Sequence, residues 1–389
     1  MMEARNMTSA LEEKTVSDSY LPSLDGIRAC AFLLVFFAHA GLDKIVPGGL
    51  GVTIFFFLSG YLITTLLRRE FASTAEISIK HFYIRRSLRI LPPMYLTLGL
   101  ACLVVSFLPS MRSATWLGIL SALGYFYNYA NLIHGDPARL PAGIGVMWSL
   151  MIEEHFYLVF PFAYSKLLRS RLTRYQQGAL LGVICLGTLL WRCCLVLVLH
   201  TPVLTLPRWT YSATDARFDS ILWGCMLAIV WNPAFGDGSP RLNRNAGKLA
   251  GGGLLLLVAT LMIRNPILRE TARYSLQSIA LLPIFYYCVA QPQAWVNRAL
   301  QWPALRWIGW LSYSMYLIHE FLFELIEDRF HPSAPVKTLA VFALAVLYAL
   351  ILRYLVEQPS RGLHKAIASR RTAQASPPLS NVATIGEAS

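Results

Sequence analysis

The first apolar segment of the chain carries two ionisable side chains at its opposite ends. Arg28 and His39 bracket the stretch Ala29–Ala38, which contains no charged residue. Eleven helical steps of about 1.5 Å separate them by roughly 16 Å, which is about half the hydrocarbon thickness of a bilayer. Ionisable side chains at membrane depth are costly and are generally retained for function. His39 is therefore our first candidate for catalytic chemistry, with a hydrogen-bonded structural histidine as the alternative.

The composition is typical of a helical membrane protein. Of the 389 residues, 56% are hydrophobic and 14% are charged, whereas a soluble domain has about 25% charged residues. The net charge of +13 does not indicate nucleic-acid binding, because the basic residues lie between apolar segments, where they determine topology. Eleven apolar segments fill most of the chain, at residues 26–41, 50–68, 91–109, 116–132, 147–167, 178–199, 216–232, 247–263, 275–291, 307–327 and 336–356.

The basic loops indicate which of these segments cross the bilayer. Basic loops favour the cytoplasmic side, and the strongly basic ones all fall there if segment 116–132 does not cross. That segment contains Gly118, Gly124, Asn128 and Asn131, which makes it the weakest of the eleven. We therefore predict an all-α, polytopic membrane bundle of about ten transmembrane helices, with 116–132 re-entrant or non-spanning. The basic loop at 264–273 remains external, as the exception.

This topology also sets the expected domains and location. We expect a polar N-terminal tail at 1–20, a transmembrane domain at 21–360 and a disordered cytoplasmic tail at 361–389. Both termini are then cytoplasmic, in a bacterial inner membrane. The seven cysteines lie in apolar segments without metal-ligand spacing, so we expect no metal site.

On this topology the polar residues form two groups, as in an enzyme that takes one reactant from each side. His319 lies near the middle of its segment. The external group comprises His39, Glu153, Glu154, Asp215, Arg217 and Asp219. The cytoplasmic group comprises Asp25, Arg28, Arg85, Arg86 and Arg89.

Helical spacing suggests a role for the glutamates and the arginines. Adjacent helix residues point about 100° apart, so at most one of Glu153 and Glu154 faces His39 squarely, either to orient it or to bind hydroxyls. The alternative is a charge favoured by the helix dipole. Arg86 and Arg89 share a helical face, which suits binding of phosphate oxygens or, alternatively, anchoring to anionic lipid.

Three further positions leave both a functional and a structural interpretation open. Asp215 and Asp219 are four residues apart and share a face, with Arg217 off it, which suits hydroxyl recognition or an internal ion pair. His319 contacts substrate or is a buried histidine with its hydrogen bonds satisfied. Arg192 lies at membrane depth and needs a partner that the sequence does not identify.

Six motifs in order resemble the acyltransferase-3 family of integral membrane O-acyltransferases, from about Leu21 to Gln358. The spacing of Arg28 and His39 is similar to the family's opening motif, and Arg86 and Arg89 match its RxxR segment. The matching stretches are LPSLDGIRACAFLLVFFAHA, GVTIFFFLSGYLI, FYIRRSLRILPPMY, MWSLMIEEHFYLVFP, DARFDSILWGCMLA and LSYSMYLIHEFLF.

The resemblance implies transfer of an acyl group, most often acetyl, from cytoplasmic acyl-CoA to a hydroxyl at the outer face. It implies that His39 is catalytic and that Arg86 and Arg89 help to hold the CoA phosphates. Glu153 or Glu154 is expected to assist His39, and Arg28 and Arg85 are further candidates for binding CoA. Lipid bilayer and glycan-assembly proteins are the other expected partners. Both general-base and acyl-histidine routes remain open.

The acceptor and the rival activities stay open at this level. Cell-surface glycans such as lipopolysaccharide, exopolysaccharide and peptidoglycan are family-type acceptors, and a secreted small molecule such as a macrolide is the alternative. Acetyl, succinyl and longer acyl groups are all compatible with the motifs. Some family members carry an extra SGNH-hydrolase-like domain, which is not found here, so we expect the acceptor to bind the membrane domain or a partner. A transporter is the rival class, in which the buried charges would mark an ion path.

Overall fold

The computed structural model describes residues 21–199 and 206–358 of the chain. Most of these residues are helical, and the two predicted tails at 1–20 and 361–389 lie outside the described residues. The α-helices, numbered here in chain order, are Pro22–Phe37 (α1), Gly48–Thr74 (α2), Ile79–Ser106 (α3), Trp116–Leu123 (α4), Tyr127–His134 (α5), Trp148–Leu168 (α6), Arg174–Cys193 (α7), Leu206–Ser212 (α8), Thr214–Val230 (α9), Pro240–Met262 (α10), Pro266–Glu270 (α11), Arg273–Ala290 (α12), Trp295–Leu300 (α13), Pro303–Phe330 (α14) and Ala334–Leu352 (α15).

Several helices are extended by one wider or tighter turn. The π-helical segments Ala38–Leu42, Cys194–Val198 and Arg353–Glu357 continue α1, α7 and α15. Short 3₁₀ turns lie at Asp136–Ala138, Gly145–Met147 and Pro233–Phe235. The π-helical turn after α1 contains His39, the candidate catalytic histidine, and such turns are frequent at functional sites.

The protein is a polytopic helical membrane protein. Each predicted span other than 116–132 overlaps one long helix, although the helices that hold spans 91–109 and 247–263 begin earlier than predicted, at Ile79 and Pro240. α6, α12 and α14 are also long, at 21, 18 and 28 residues. In the described part of the chain, seven helical stretches are long and apolar enough to cross a membrane: Pro22–Leu42, Gly48–Thr74, Ile79–Ser106, Arg174–Val198, Arg208–Phe235, Pro240–Met262 and Ala334–Val356.

The weak segment at 116–132 is interrupted, as the sequence predicted. It forms α4 and α5, two eight-residue helices separated by residues 124–126. Eight residues extend for about 12 Å, whereas the hydrocarbon core is about 30 Å thick. Tyr125 in the break has a φ of 60°, in the left-handed region that ends a helix. This segment therefore does not cross a bilayer as one helix.

α2 lies at the centre of the bundle and packs closely against α9. A Cβ atom added to Gly60 would come within 2.0 Å of the Ile221 carbonyl oxygen, and one added to Gly224 within 2.0 Å of the Phe57 carbonyl oxygen. Small residues at a helix crossing allow two backbones to approach in this way. The close contact fixes α2 beside the helix that carries Arg217 and Asp219.

Candidate functional site

The first cavity of interest has a volume of about 300 Å³ and lies between α1, α2, α3, α6 and α14. Arg28, Arg86 and Arg89 line it, together with Glu153 and a run of apolar side chains from α2. We call it the arginine cavity. The structure thus brings together, from α1 and α3, three of the four arginines that the sequence placed in the cytoplasmic group.

Polar side chains of α2 and α6 are linked inside the arginine cavity. The Tyr157 hydroxyl donates to a carboxylate oxygen of Glu153 over 3.2 Å and shares a short hydrogen bond with the Ser59 hydroxyl. The Arg86 guanidinium carbon lies 4.1 Å from the centre of the Tyr157 ring. The Nε atom of Arg86 is buried and has no hydrogen-bond partner in the described protein. Arg86 therefore has donor capacity left for an anion.

Arg85 and Glu154, which the sequence also proposed as site residues, do not line the arginine cavity. Arg85 pairs with Glu70 over 3.2 Å, and 43% of its side chain is exposed, so it is not among the arginines that line the cavity. Glu154 is partly buried, and one of its carboxylate oxygens has no partner among the described residues. Arg28 forms an ion pair with Asp25 at 3.6 Å, one helical turn earlier in α1. The RxxR pair and Arg28 thus face the cavity, while Arg85 faces a surface glutamate.

The second cavity is wider, at about 1130 Å³, and contains His39. We call it the histidine cavity. Its walls come from the end of α1, the start of α2, α10, the segment 269–277 and α14. Arg264, Arg269 and Arg273, the basic loop that departs from the charge pattern, line this cavity as well. Glu320 of α14 lies in the same wall.

His39 contacts a second histidine. Its Nδ1 atom lies 2.8 Å from Nε2 of His319, and the two ring planes are within 15° of each other. His319 is fully buried, and its Nδ1 atom lies 2.7 Å from the carbonyl oxygen of Tyr316. The sequence predicted that Glu153 or Glu154 orients His39, but in the structure His319 holds that position and Glu153 lies in the arginine cavity. His319 is covered by His39 and its neighbours and lines neither cavity, which favours the buried, hydrogen-bonded interpretation that the sequence left open.

The two cavities share a wall. Val52 of α2 and Tyr316 of α14 line both of them. The Tyr316 hydroxyl lies 2.9 Å from the hydroxyl of Ser149, which lines the arginine cavity. It also lies 3.3 Å from the carbonyl oxygen of Val146, which lines the histidine cavity. Val52 and Tyr316 are therefore the two residues that contribute to the walls of both cavities.

The predicted acceptor residue Asp215 is tied into an aromatic cluster. Its carboxylate accepts hydrogen bonds from the Tyr129 hydroxyl at 2.5 Å and from the indole N–H groups of Trp191 and Trp209 at 2.5 and 3.2 Å. These partners join α5, α7, α8 and α9. The geometry favours a structural interpretation for Asp215 over the expected hydroxyl recognition.

Asp219 is the partner of Arg192 that the sequence did not identify. It binds Arg192 through both carboxylate oxygens at 3.0 and 2.7 Å, and it accepts from the Ser275 hydroxyl at 2.5 Å. Arg192 also donates to the carbonyl oxygen of Thr271, and both charged residues are fully buried. The carboxylate is thus occupied by protein groups. Across residues 21–199 and 206–358, no group of three or more His, Cys, Asp or Glu side chains is arranged to hold a metal ion.

Arg217, between these aspartates in sequence, has a different environment. It is fully buried, donates to the Thr53 hydroxyl at 3.0 Å, and lies 3.8 Å from the centre of the Tyr274 ring. Its Nε and Nη1 atoms have no hydrogen-bond partner in the described protein. Tyr274 and Tyr211, whose rings it approaches, both line the histidine cavity. Arg217 therefore lies behind the wall of that cavity.

Sequence reasoning did not assign a site role to Ser59, Tyr157 or Tyr316. Signals for two of them are present in the chain. Ser59 is the one polar residue before Gly60 in the apolar run at 54–60, and Tyr157 is four residues after Glu153 on the same helical face. Tyr316 has no comparable signal, because its importance comes from lying between two cavities.

Comparison with known proteins gives a consistent result over nearly the whole described chain. A family model described as an acyltransferase domain matches residues 21–356. Peptidoglycan O-acetyltransferase OatA of Listeria monocytogenes is 29% identical over 359 residues, which cover 89% of this chain and 56% of that protein. Putative peptidoglycan O-acetyltransferase YrhL of Bacillus subtilis is 30% identical over 318 residues, which cover 79% of this chain and 49% of that protein.

A putative O-acetyltransferase of Staphylococcus aureus strain COL shows the same relation. It is 28% identical over 366 residues, which cover 88% of this chain and 57% of that protein. The chain therefore spans about half the length of the curated relatives it matches. No solved structure matches it.

Proposed function

The chain belongs to the acyltransferase domain family, and from that premise we propose that it is a membrane O-acyltransferase that moves an acetyl group from acetyl-CoA to a hydroxyl of a glycan. The observation that carries this proposal is the pair of cavities that meet at Val52 and Tyr316. One has arginines suited to an anionic donor, and the other contains a histidine suited to activating a hydroxyl.

The donor is assigned to the arginine cavity. Arg86 and Arg89 lie one turn apart on α3 and, with Arg28, provide guanidinium groups for the phosphates of CoA. The apolar side chains of α2 that line the same cavity provide a wall for the acyl chain and its linker. Since basic loops favour the cytoplasm, this cavity opens to the cytoplasmic face, with both termini on that side of a bacterial inner membrane.

The acceptor is assigned to the histidine cavity. Its hydroxyl loses a proton to His39 as its oxygen bonds to the acyl carbon, the carbon–sulfur bond breaks, and the departing thiolate is protonated to give CoA. In the second route, a ring nitrogen of His39 bonds to the acyl carbon as the carbon–sulfur bond breaks, and the thiolate takes the proton of the ring to give CoA. The hydroxyl oxygen then bonds to the acyl carbon, the carbon–nitrogen bond breaks, and the hydroxyl proton returns to the ring. Both routes give the same ester and the same thiol.

The names of the relatives support a cell-wall glycan as acceptor. Of the three relatives above, one is named a peptidoglycan O-acetyltransferase and another a putative peptidoglycan O-acetyltransferase. We propose a peptidoglycan hydroxyl as the first acceptor to test. The wide histidine cavity also accommodates a secreted small molecule, which is the second acceptor class in the same test.

The test measures ester formation in membranes that contain the protein. Labelled acetyl-CoA is added to membranes with wild-type protein, His39→Ala or His134→Ala, and glycans and small products are analysed by mass spectrometry. His134 is an exposed histidine at the end of α5 and is the matched control. We expect label in muropeptides with wild type and His134→Ala, and none with His39→Ala.

Each other outcome contradicts a named part of the proposal. Label only in small secreted products would replace the glycan acceptor. Equal label with folded His39→Ala would remove His39 from the chemistry. No label with wild type, together with flux of a solute in reconstituted vesicles, would favour a transporter.

A further inference from the structure

The contact between His39 and His319 has a geometry that specifies where its proton lies. The two ring nitrogens are 2.8 Å apart, the ring centres are 5.0 Å apart, and the planes differ by 15°. A centre-to-centre separation this large at so short an N–N distance means that the two nitrogens point at each other along the line of the rings. This is the arrangement of an in-plane hydrogen bond, in which one nitrogen donates and the other accepts.

The second nitrogen of His319 determines which one donates. Its Nδ1 atom lies 2.7 Å from the backbone carbonyl oxygen of Tyr316. A carbonyl oxygen only accepts, so the proton of the His319 ring is on Nδ1. In a neutral imidazole the other nitrogen is then an acceptor. Nε2 of His319 therefore accepts from Nδ1–H of His39.

A doubly protonated His319 is disfavoured by its surroundings. The side chain is fully buried, and among the described residues its two ring nitrogens contact His39 and the Tyr316 carbonyl oxygen rather than a carboxylate. The rings of Phe32 and Phe36 lie 6.0 and 6.3 Å from it, centre to centre. A buried cation without a counter-ion is costly, so the neutral form is the one that fits this environment. The direction of the hydrogen bond follows from that form.

We propose that His319 is a positioning residue that holds His39 in the tautomer with Nδ1 protonated, leaving Nε2 as the atom that takes the proton of the acceptor hydroxyl. This inference rests on the proposed function and deepens it. His39 lines the histidine cavity, and its Nδ1 atom is already occupied, so Nε2 is the ring nitrogen left for a ligand. Which ring nitrogen is protonated is commonly set by the bond that the other one makes.

The same contact supports the charged intermediate form of His39. When Nε2 takes the hydroxyl proton, the ring carries a proton on each nitrogen, and Nδ1–H still donates to His319. The hydroxyl oxygen bonds to the acyl carbon, the carbon–sulfur bond breaks, and the Nε2 proton passes to the thiolate. No proton has to leave the pair of histidines through His319, because its own Nδ1–H remains on the Tyr316 carbonyl.

Two variants separate positioning from packing. His319→Phe keeps an aromatic ring of similar size but has no acceptor for His39. His319→Gln has an amide oxygen that reaches the region of the original Nε2 and accepts a hydrogen bond. We expect His319→Phe to lower kcat about 100-fold or more with KM for acetyl-CoA within about threefold of wild type, because general-base catalysis contributes about 100- to 10,000-fold. We expect His319→Gln to recover at least tenfold of that loss.

A measurement on the unmodified protein reads the tautomer directly, and variants serve only to assign its signals. Nitrogen NMR of wild-type protein labelled with ¹⁵N-histidine distinguishes protonated from unprotonated ring nitrogens, with His39→Gln and His319→Gln proteins used for assignment. We expect the unprotonated nitrogen of His39 to be Nε2. An unprotonated Nδ1, or a folded His319→Phe protein with kcat within threefold of wild type, would overturn the positioning role. An inactive wild-type protein would instead contradict the proposed function, and the spectrum would still decide the tautomer.

Discussion

The arginine cavity and the histidine cavity differ in size and in the chemistry of their walls. The first has a volume of about 300 Å³, with three arginines near one end of an apolar lining. The second has a volume of about 1130 Å³ and a mixed lining that includes His39, three arginines and Glu320. A narrow site with fixed cations suits one constant donor, whereas a wide polar site suits an acceptor that differs between proteins. The comparison indicates where specificity for each reactant is built.

Two buried arginines, Arg192 and Arg217, differ in how many of their nitrogen atoms have hydrogen-bond partners. Arg192 has Asp219, Ser275 and two backbone carbonyls as partners, and this network joins α7, α9 and α12. Arg217 has one hydroxyl partner and two nitrogen atoms without any in the described protein. A complete network of buried charges rigidifies a core, while an incomplete one is costly unless the site uses it. We infer that the Arg192 network stabilises the packing of the helices behind the histidine cavity.

Removing Arg192 from this network has the largest expected effect on stability. We expect Arg192→Met to destabilise the protein by about 3–5 kcal/mol, because it leaves Asp219 as an unpaired charge with no exposed surface. Thermal unfolding in detergent would measure the loss. Any folded fraction should bind acetyl-CoA as wild type does, because Arg192 does not line the arginine cavity.

Arg139→Met is the matched control for this prediction. Arg139 pairs with Asp136 at the surface, with side-chain exposures of 37% and 63%, and such pairs contribute about 0–1 kcal/mol. If Arg192→Met and Arg139→Met proved equally stable, the buried network would not contribute the stability that we assign to it.

Replacing an arginine of the arginine cavity should raise KM for acetyl-CoA. We expect Arg86→Ala to raise KM for acetyl-CoA about 10- to 100-fold, because hydrogen bonds to charged groups contribute about 1.5–3 kcal/mol. Its guanidinium lies over the Tyr157 ring, and its buried Nε atom has no hydrogen-bond partner among the described residues. Initial rates at varied acetyl-CoA measure the effect.

Arg85→Ala provides the comparison, because Arg85 is adjacent in sequence but pairs with Glu70 at the surface. We expect its KM to stay within about twofold of wild type, as exposed ion pairs contribute little. An equal rise in KM for both variants would mean that the basic loop acts through overall charge, and the arginine cavity would lose its assignment as donor site.

Part of this arrangement was predictable from sequence because it depends on spacing within one helix. Arg28 and His39 lie at opposite ends of one apolar segment, and the structure places them in different cavities. The glycines and asparagines of 116–132 likewise predicted a segment that breaks before it crosses. The family assignment made from six ordered motifs is confirmed by the match over residues 21–356.

The remainder depends on contacts between helices, which spacing does not specify. His39 and His319 are 280 residues apart, and Arg192 and Asp219 are 27 apart on different helices. Glu153 was expected beside His39, yet α6 runs from the histidine cavity at its start toward the arginine cavity, and Glu153 lies past the shared wall. A hydropathy pattern locates a helix but does not resolve depth to within one turn.

The smallest expected effect is that of Tyr316→Phe in the shared wall, and it tests whether Tyr316 contributes to both cavities. Tyr316→Phe removes the hydroxyl that bonds to Ser149 and lies near the Val146 carbonyl, and it keeps the ring that separates the cavities. Since one hydrogen bond contributes about 1 kcal/mol, we expect kcat/KM to fall by about fivefold for donor and acceptor alike. Steady-state rates with each substrate varied in turn would measure both values. A change confined to the donor would place Tyr316 in the arginine cavity alone, and the two reactants would then have to meet at another point along α2.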